Sequence, residues 1–221
     1  MTATMNPYAL VRRIIVAALT GTLPEEYRDD SVQILTQALN APDEEVRALA
    51  VIGLSEFGAT APAVLSALTG ATHDGSDQVR RRAVRSLGDF GVAALPSLPH
   101  LVCALDDATT VVRMEAMSAI GRIGPDAEPA VPHIIPLLAD DDVRVRTVAG
   151  ATLKKIGAAS VPMLIEALSD PDAFVRERAA SLLGQIRVDD DEVIEGLFEV
   201  LSDFEEDVRV AARQALKALE T

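Results

Sequence analysis

Apolar side chains recur along this chain with two spacings, one nested in the other. In the stretch VRRRAVRSLGDFG (79–91) the apolar positions counted from Val79 fall at offsets 0, 4, 8 and 11. Those offsets share one side of a helix with 3.6 residues per turn. Counterparts stand at 46–58, 112–124, 145–157, 175–187 and 208–220, and the Arg after each Val falls at Arg47, Arg80, Arg113, Arg146, Arg176 and Arg209. The intervals between these arginines are 33, 33, 33, 30 and 33 residues. A fixed period of this length predicts a solenoid in which each unit stacks only on its neighbours. Offset 4 is alanine in all six copies (Ala50, Ala83, Ala116, Ala149, Ala179, Ala212), which predicts the close approach of another backbone there. Four copies end in Gly (58, 91, 124, 157), the residue suited to the left-handed turn that ends a helix.

A second helix is predicted in each unit. Pro62, Pro99, Pro132 and Pro162 each stand six residues before a Leu, and proline is tolerated in a helix's first turn, where its missing N–H would lack a partner anyway. The next Val follows seven residues after that Leu, except where TGATHDGS (69–76) inserts four. A four-residue deletion inside the same repeat compensates, and the period survives. The N-terminal copy is looser, with Val11-Arg12 followed by Ile15 where the others have alanine. The reading is therefore all-α: seven first helices and six second helices in a single elongated, right-handed α-solenoid of about seven hairpins. Residues 1–42 form an atypical capping repeat. Residues 43–221 form the regular repeats and end in an unpaired capping helix.

Composition narrows the picture. Aromatics are 3% of the chain and Trp is absent, so the core is built from small and aliphatic side chains. Twenty basic against 34 acidic residues give a net charge of −14, which argues against a polyanionic partner. The single cysteine, Cys103, excludes an intramolecular disulfide and fits a reducing, cytoplasmic setting. No apolar run approaches the roughly 20 residues of a membrane span. The apolar part of VRRIIVAALTG (11–21) is read as a repeat helix rather than a leader.

The stretches LSDPDAFVRERA (168–179) and IGRIG (120–124) carry a resemblance to the HEAT repeat, in particular to the short repeats of cyanobacterial phycobilin lyases. The resemblance covers essentially the whole chain. It implies a helical-hairpin solenoid used for binding proteins. As an alternative, it implies a lyase-like or chaperone-like role on a phycobiliprotein. Ankyrin repeats share the period but need a T-P-L-H opening, and tetratricopeptide repeats need aromatics; neither is present.

Candidate chemistry is sparse. The six arginines, with Asp107, Asp140, Asp170 and Asp203 two residues after each helix-ending Leu, read as a structural ladder between repeats, and Asp43, Asp142 and Asp172 stand where helix N-caps belong. Among HEAT-like proteins, deoxyhypusine hydroxylase holds di-iron through His-Glu dipeptides. Here the histidines occur as His73-Asp74, His100-Leu101 and His133-Ile134, so neither that activity nor any metal or cofactor is expected. His100 and His133 stand one period apart. Equivalent positions on neighbouring helices are about 8–10 Å apart, too far for joint ligation. Cys103 follows His100 by one turn without a third catalytic group. The run Arg80–Arg82 with Arg85 could suggest nucleic acid, but in so acidic a chain it reads as a solvated helix face with Asp neighbours.

These exclusions leave a non-catalytic protein–protein interaction scaffold. The partner is expected on the concave surface formed by the second helices, at positions one and four after each Pro: His100, Cys103, His133, Met163 and Glu166, with Gly196 and Glu199 in the last repeat. Between Arg187 and Arg209 no basic residue occurs, whereas ten acidic ones do, including Asp189, Glu195 and Glu199. Glu195 and Glu199 lie beyond any capping role and, with Glu166, predict a protein partner with a basic segment, and no nucleic acid or membrane.

Overall fold

The computed structural model describes residues 7–59, 61–188 and 190–220. Among them the chain is helical throughout, and it divides into two compact units, Met1–Ala119 and Ile120–Thr221. In the first unit the first helices are α1 (Pro7–Leu19), α3 (Glu44–Glu56), α5 (Asp77–Asp89) and α7 (Thr110–Ile123), the last running past the unit's boundary. The second helices are α2 (Arg28–Ala38), α4 (Pro62–Ala71) and α6 (Leu98–Cys103). In the second unit α9 (Val143–Ile156), α11 (Ala173–Ile186) and α13 (Glu206–Leu219) are first helices, and α8 (Val131–Ile134), α10 (Val161–Glu166) and α12 (Asp191–Glu199) are second helices.

The repeat positions explain the packing. All six alanines at offset 4 are fully buried, and the valines at offset 0 are 5% exposed or less. Leu54 and Leu87 in the first unit and Leu153 and Leu183 in the second close the same stripe. Most second helices are shorter than their pattern suggests. After α6, α8, α10 and α12 the backbone tightens into 3-10 turns at 104–106, 135–139, 167–169 and 200–202. These turns still bury Leu105, Leu138 and Leu168 against the first helices. Pro136 in one of them cannot donate to a helical carbonyl, one cause of the tightening there. The most apolar stretch, 143–169, reaches a mean hydropathy of 1.2, above what the absence of a long apolar run suggested. It does not form one straight span. Gly157, at φ 70°, turns the chain from α9 towards α10.

Each Arg of the repeat performs one common task. Its Nη1 donates to a carbonyl six residues earlier, in the turn that precedes its own helix: Ala41 for Arg47 (2.9 Å), Asp74 for Arg80 (2.9 Å), Asp107 for Arg113 (3.0 Å), Asp140 for Arg146 (2.6 Å), Asp170 for Arg176 (2.9 Å) and Asp203 for Arg209. In three repeats the remaining donors reach forward 27 residues and grip a carboxylate at both oxygens. Arg47 holds Asp74 at 2.8 and 3.0 Å, Arg80 holds Asp107 at 2.6 and 2.9 Å, and Arg176 holds Asp203 at 2.7 and 2.9 Å. The same carboxylates accept the backbone N–H two residues on, from Ser76, Thr109 and Glu205. One aspartate therefore shapes its own turn, offers its carbonyl to its own repeat's Arg and its carboxylate to the preceding one. Asp74 escapes a count from the helix-ending Leu because of the insertion at 69–76. Counting back six from Arg80 finds it. Two of the arginines grip no carboxylate among the described residues: Arg113, whose Nη2 donates to the Thr110 hydroxyl at 3.3 Å, and Arg146, before the 30-residue interval, which keeps its carbonyl contacts to Asp140 and to Asp141 at 3.0 Å. The Asp170 carboxylate then serves only its own turn, accepting the Asp172 N–H at 2.8 Å. Asp43, Asp142 and Asp172 cap α3, α9 and α11 through N–H groups two residues on.

The grip moves the carboxylates in one direction. The Arg80 and Arg176 hydrogen bonds hold Asp107 and Asp203 below the ordinary carboxylate range. For Asp74, burial pushes upward, and the Arg47 and Ser76 hydrogen bonds outweigh it, leaving a lowered value. A carboxyl whose folded pKa is depressed contributes stability that is complete above its unfolded pKa, about 4, and lost as pH falls through the folded value.

Three outcomes are expected. Gly184 on α11 faces Ala215 on α13 so closely that an added Cβ would stand 2.5 Å from the Ala215 Cα. Gly184→Ala should therefore cost about 1–3 kcal/mol in denaturant unfolding, since backbone cannot give way as a side chain can. Arg187 occupies the left-handed conformation (φ 58°, ψ 50°) at the position where four other copies have Gly. Arg187→Gly should raise stability by about 0.5–1 kcal/mol, read as an increase in melting temperature. Asp107→Asn and Asp203→Asn should each cost about 1–3 kcal/mol near neutrality. The gap to the parent should close as pH is lowered below about 4, and a gap that stayed constant down the acid limb would show that the charges contribute nothing.

Candidate functional site

The second helices carry the exposed, varied positions. Ala63 and Ser66 on α4 face solvent, as do Cys103 on α6, His133 on α8 and Glu166 on α10, while His100 and Met163 are half-buried. The spacing that produces this is simple. In α10, Val161 and Leu164 are spent on the core, which leaves Met163 and Glu166 turned outward. Gly196 differs from its expected role. A Cβ there would meet the Leu168 side chain at 3.0 Å and Ile165 at 3.7 Å, so this position packs α12 against the preceding second helix and does not present itself to a partner.

In α12, Val193 and Leu197 are buried, and Glu195, Phe198 and Glu199 share the exposed face at helical neighbour spacing. Phe198 is 57% exposed. The acidic pattern in the sequence points to the two glutamates and not to the aromatic between them. An apolar residue directly after the core Leu197 was the available signal. Among the described residues neither Glu195, Glu199 nor Glu166 has an intramolecular ion pair or side-chain hydrogen bond. The rest of the acidic run is more occupied. Asp190 caps α12 through the Glu192 N–H at 2.9 Å, Asp203 is gripped by Arg176, and Glu206 pairs with Arg209 and Arg213. The two arginines hold the Glu206 carboxyl below its usual range. Asp189 lies outside the described residues.

One histidine contact does not follow from the repeat spacing. The insertion at 69–76 brings His73 against His100, with ring centroids 5.4 Å apart and an interplanar angle of 64°. The Nδ1 of His100 is buried and has no hydrogen-bond partner. Cys103 is exposed and unbridged. His133 is exposed on α8. Among the described residues no three His, Cys, Asp or Glu side chains converge as a bound metal would need.

The family model for HEAT repeats matches residues 3–88, 70–154 and 131–217. No curated protein matches the chain. Among solved structures, a designed armadillo repeat protein in complex with the peptide (KR)4 is 23% identical, with a TM-score of 0.55 over 85% of this chain and 98% of its own. The archaeal HEAT-like repeats protein from Thermococcus onnurineus NA1 is 14% identical, with a TM-score of 0.52 over 99% of this chain and 98% of its own. At these identities the likeness is one of fold. The buried alanines, the turn-gripping arginines and a family match that runs from end to end agree: the chain belongs to the HEAT-repeat family.

Proposed function

We propose that this chain is a non-catalytic scaffold that binds a partner protein through the outward face of its second helices, the concave surface of such repeats. In the second unit, Glu166, Glu195 and Glu199 with Phe198 take a segment carrying Lys or Arg. The observation that carries this reading is that these three glutamates have no work inside the fold. Each is exposed, none caps a helix and none is paired among the described residues. Glu195 and Glu199 also stand at i and i+4, where like charges repel and cost the helix about 0.2–0.5 kcal/mol. A cation between them reverses the sign of that term. Phe198 adds an aromatic face that a guanidinium or ammonium group covers well. The designed armadillo repeat protein of similar fold was solved in complex with the peptide (KR)4, which supports a cationic partner here. The resemblance to short HEAT-like repeats leaves a lyase-like or chaperone-like role on a phycobiliprotein as the alternative, and no observation in the fold favours it.

The test uses a labelled (Lys-Arg)4 peptide as probe. The full chain should bind it more tightly and faster as salt is lowered, because the attraction is screened over about 10 Å at 0.1 M ionic strength. Reversing Glu166, Glu195 and Glu199 to Lys together should abolish that binding and flatten the salt dependence. Affinity and salt slope unchanged in the triple variant would reduce the acidic face to solvated helix surface.

A further inference from the structure

A different part of the molecule holds charge that the fold does not use. Helix α5 carries four arginines within six residues, in a chain with 20 basic and 34 acidic side chains. Arg80 is engaged at its own turn and at Asp107. Arg81 reaches Glu115 at 3.5 Å with half of its side chain exposed, a weak surface pair. Arg82 and Arg85 have no carboxylate within ion-pair distance among the described residues, although Asp89 stands one turn beyond Arg85. The Nε of Arg82 is buried and without a hydrogen-bond partner. Arg85 lies three residues from Arg82 and four from Arg81, so three guanidinium groups crowd one face at spacings where like charges repel.

These groups line a groove between α3 and α5. Ile52 and Ser55 form its α3 side, Gln78, Arg81, Arg82, Arg85 and Ser86 its α5 side, with Asp89 at one end, and its volume is about 350 Å³. A second hollow of about 260 Å³ shares Ile52, Gln78 and Arg82. The fold supplies its own comparison. The groove between α9 and α11 shares several repeat positions, has a volume of about 240 Å³, and takes cations from α9 (Arg146 and Lys154) but only Arg178 from α11. Counting from the turn-gripping arginine, Arg178 there corresponds to Arg82. Ser181 replaces Arg85, and Glu177 replaces Arg81. The scaffold therefore needs one guanidinium at this position at most, and the other two are particular to the α3–α5 groove.

We propose that the α3–α5 groove is an anion site that binds a phosphate-bearing small ligand through Arg82 and Arg85, with Arg81 at its rim. A guanidinium presents parallel N–H donors that match two oxygens of a phosphoryl group, and a phosphate, with more acceptor oxygens, satisfies two such forks more fully than a single carboxylate would. The ligand would satisfy the buried Nε of Arg82 and relieve the repulsion along α5. The volume admits more than one phosphoryl group. The chain's net charge of −14 disfavours diffuse attraction of polyanions, so recognition is confined to this groove. The site is independent of the acidic second-helix face.

Calorimetric titration of the full chain with pyrophosphate and with inorganic phosphate, against chloride at equal ionic strength, tests this. Saturable binding of one pyrophosphate is expected. The double variant Arg82→Gln/Arg85→Gln should weaken it by about tenfold or more, as for charge-assisted bidentate contacts, and Arg178→Gln should leave it unchanged. Without ligand, the double variant should melt at or above the parent's temperature, because removing mutually repelling charges does not harm the helix. Four results would overturn the proposal: no saturable binding of either anion, equal weakening by Arg178→Gln, a lower melting temperature of the ligand-free double variant, or binding of a single-stranded RNA oligonucleotide without binding of pyrophosphate.

Discussion

The guanidinium after each repeat valine sets the geometry on which the other contacts depend. Its Nη1 closes the turn before its own helix, and that turn fixes where the helix begins. In three repeats its Nε and Nη2 extend to the next turn, whose aspartate is already shaped by its own N–H bond. Because the fork is planar and both ends are fixed, the spacing of 27 residues from Arg to Asp is constrained from both sides. Insertions survive only when a deletion compensates, as around 69–76. The buried alanines then follow, since helices held in this register meet backbone to backbone and leave no room for a larger residue at offset 4.

Two features stand outside that requirement. The glutamates beside Phe198 and the arginines of the α3–α5 groove lie on different kinds of helix, the former on a second helix and the latter on a first. Both place like charges at helical neighbour spacing, a local cost that packing does not explain. Natural sequences tend to depart from local consistency where function demands it, and in a chain this repetitive such departures stand out against the copies that lack them. The serine and glutamate of α11, standing where α5 has arginines, make that contrast within a single molecule.

The helices were legible in the sequence because the stripe of Val, Ala and Leu repeats six times, so that a weak local signal is multiplied by its recurrence. Proline at the start of four second helices and glycine after four first helices marked the boundaries for the same reason. What the sequence concealed depends on distances between elements. Asp74 lay hidden behind an insertion that shifts its count from one landmark and not from another. The contact of His73 with His100 depends on where that insertion places a loop. The role of Gly196 is visible only once α10 lies beside α12. Phe198 looked like one more apolar residue until its neighbours took all the core positions.

The short interval between Arg146 and Arg176 has a mechanical meaning. Where α11 joins α13 through the two-pronged tie of Arg176 to Asp203, α9 joins α11 without one, with Arg146 holding only its own carbonyls. Apolar packing is non-directional and tolerates sliding, whereas a bidentate grip resists it. The junction between α9 and α11 is thus the natural slip plane of the second unit. A shift there breaks no bidentate ion pair, and acid, which loosens the Arg176 grip on Asp203, removes no such tie from it.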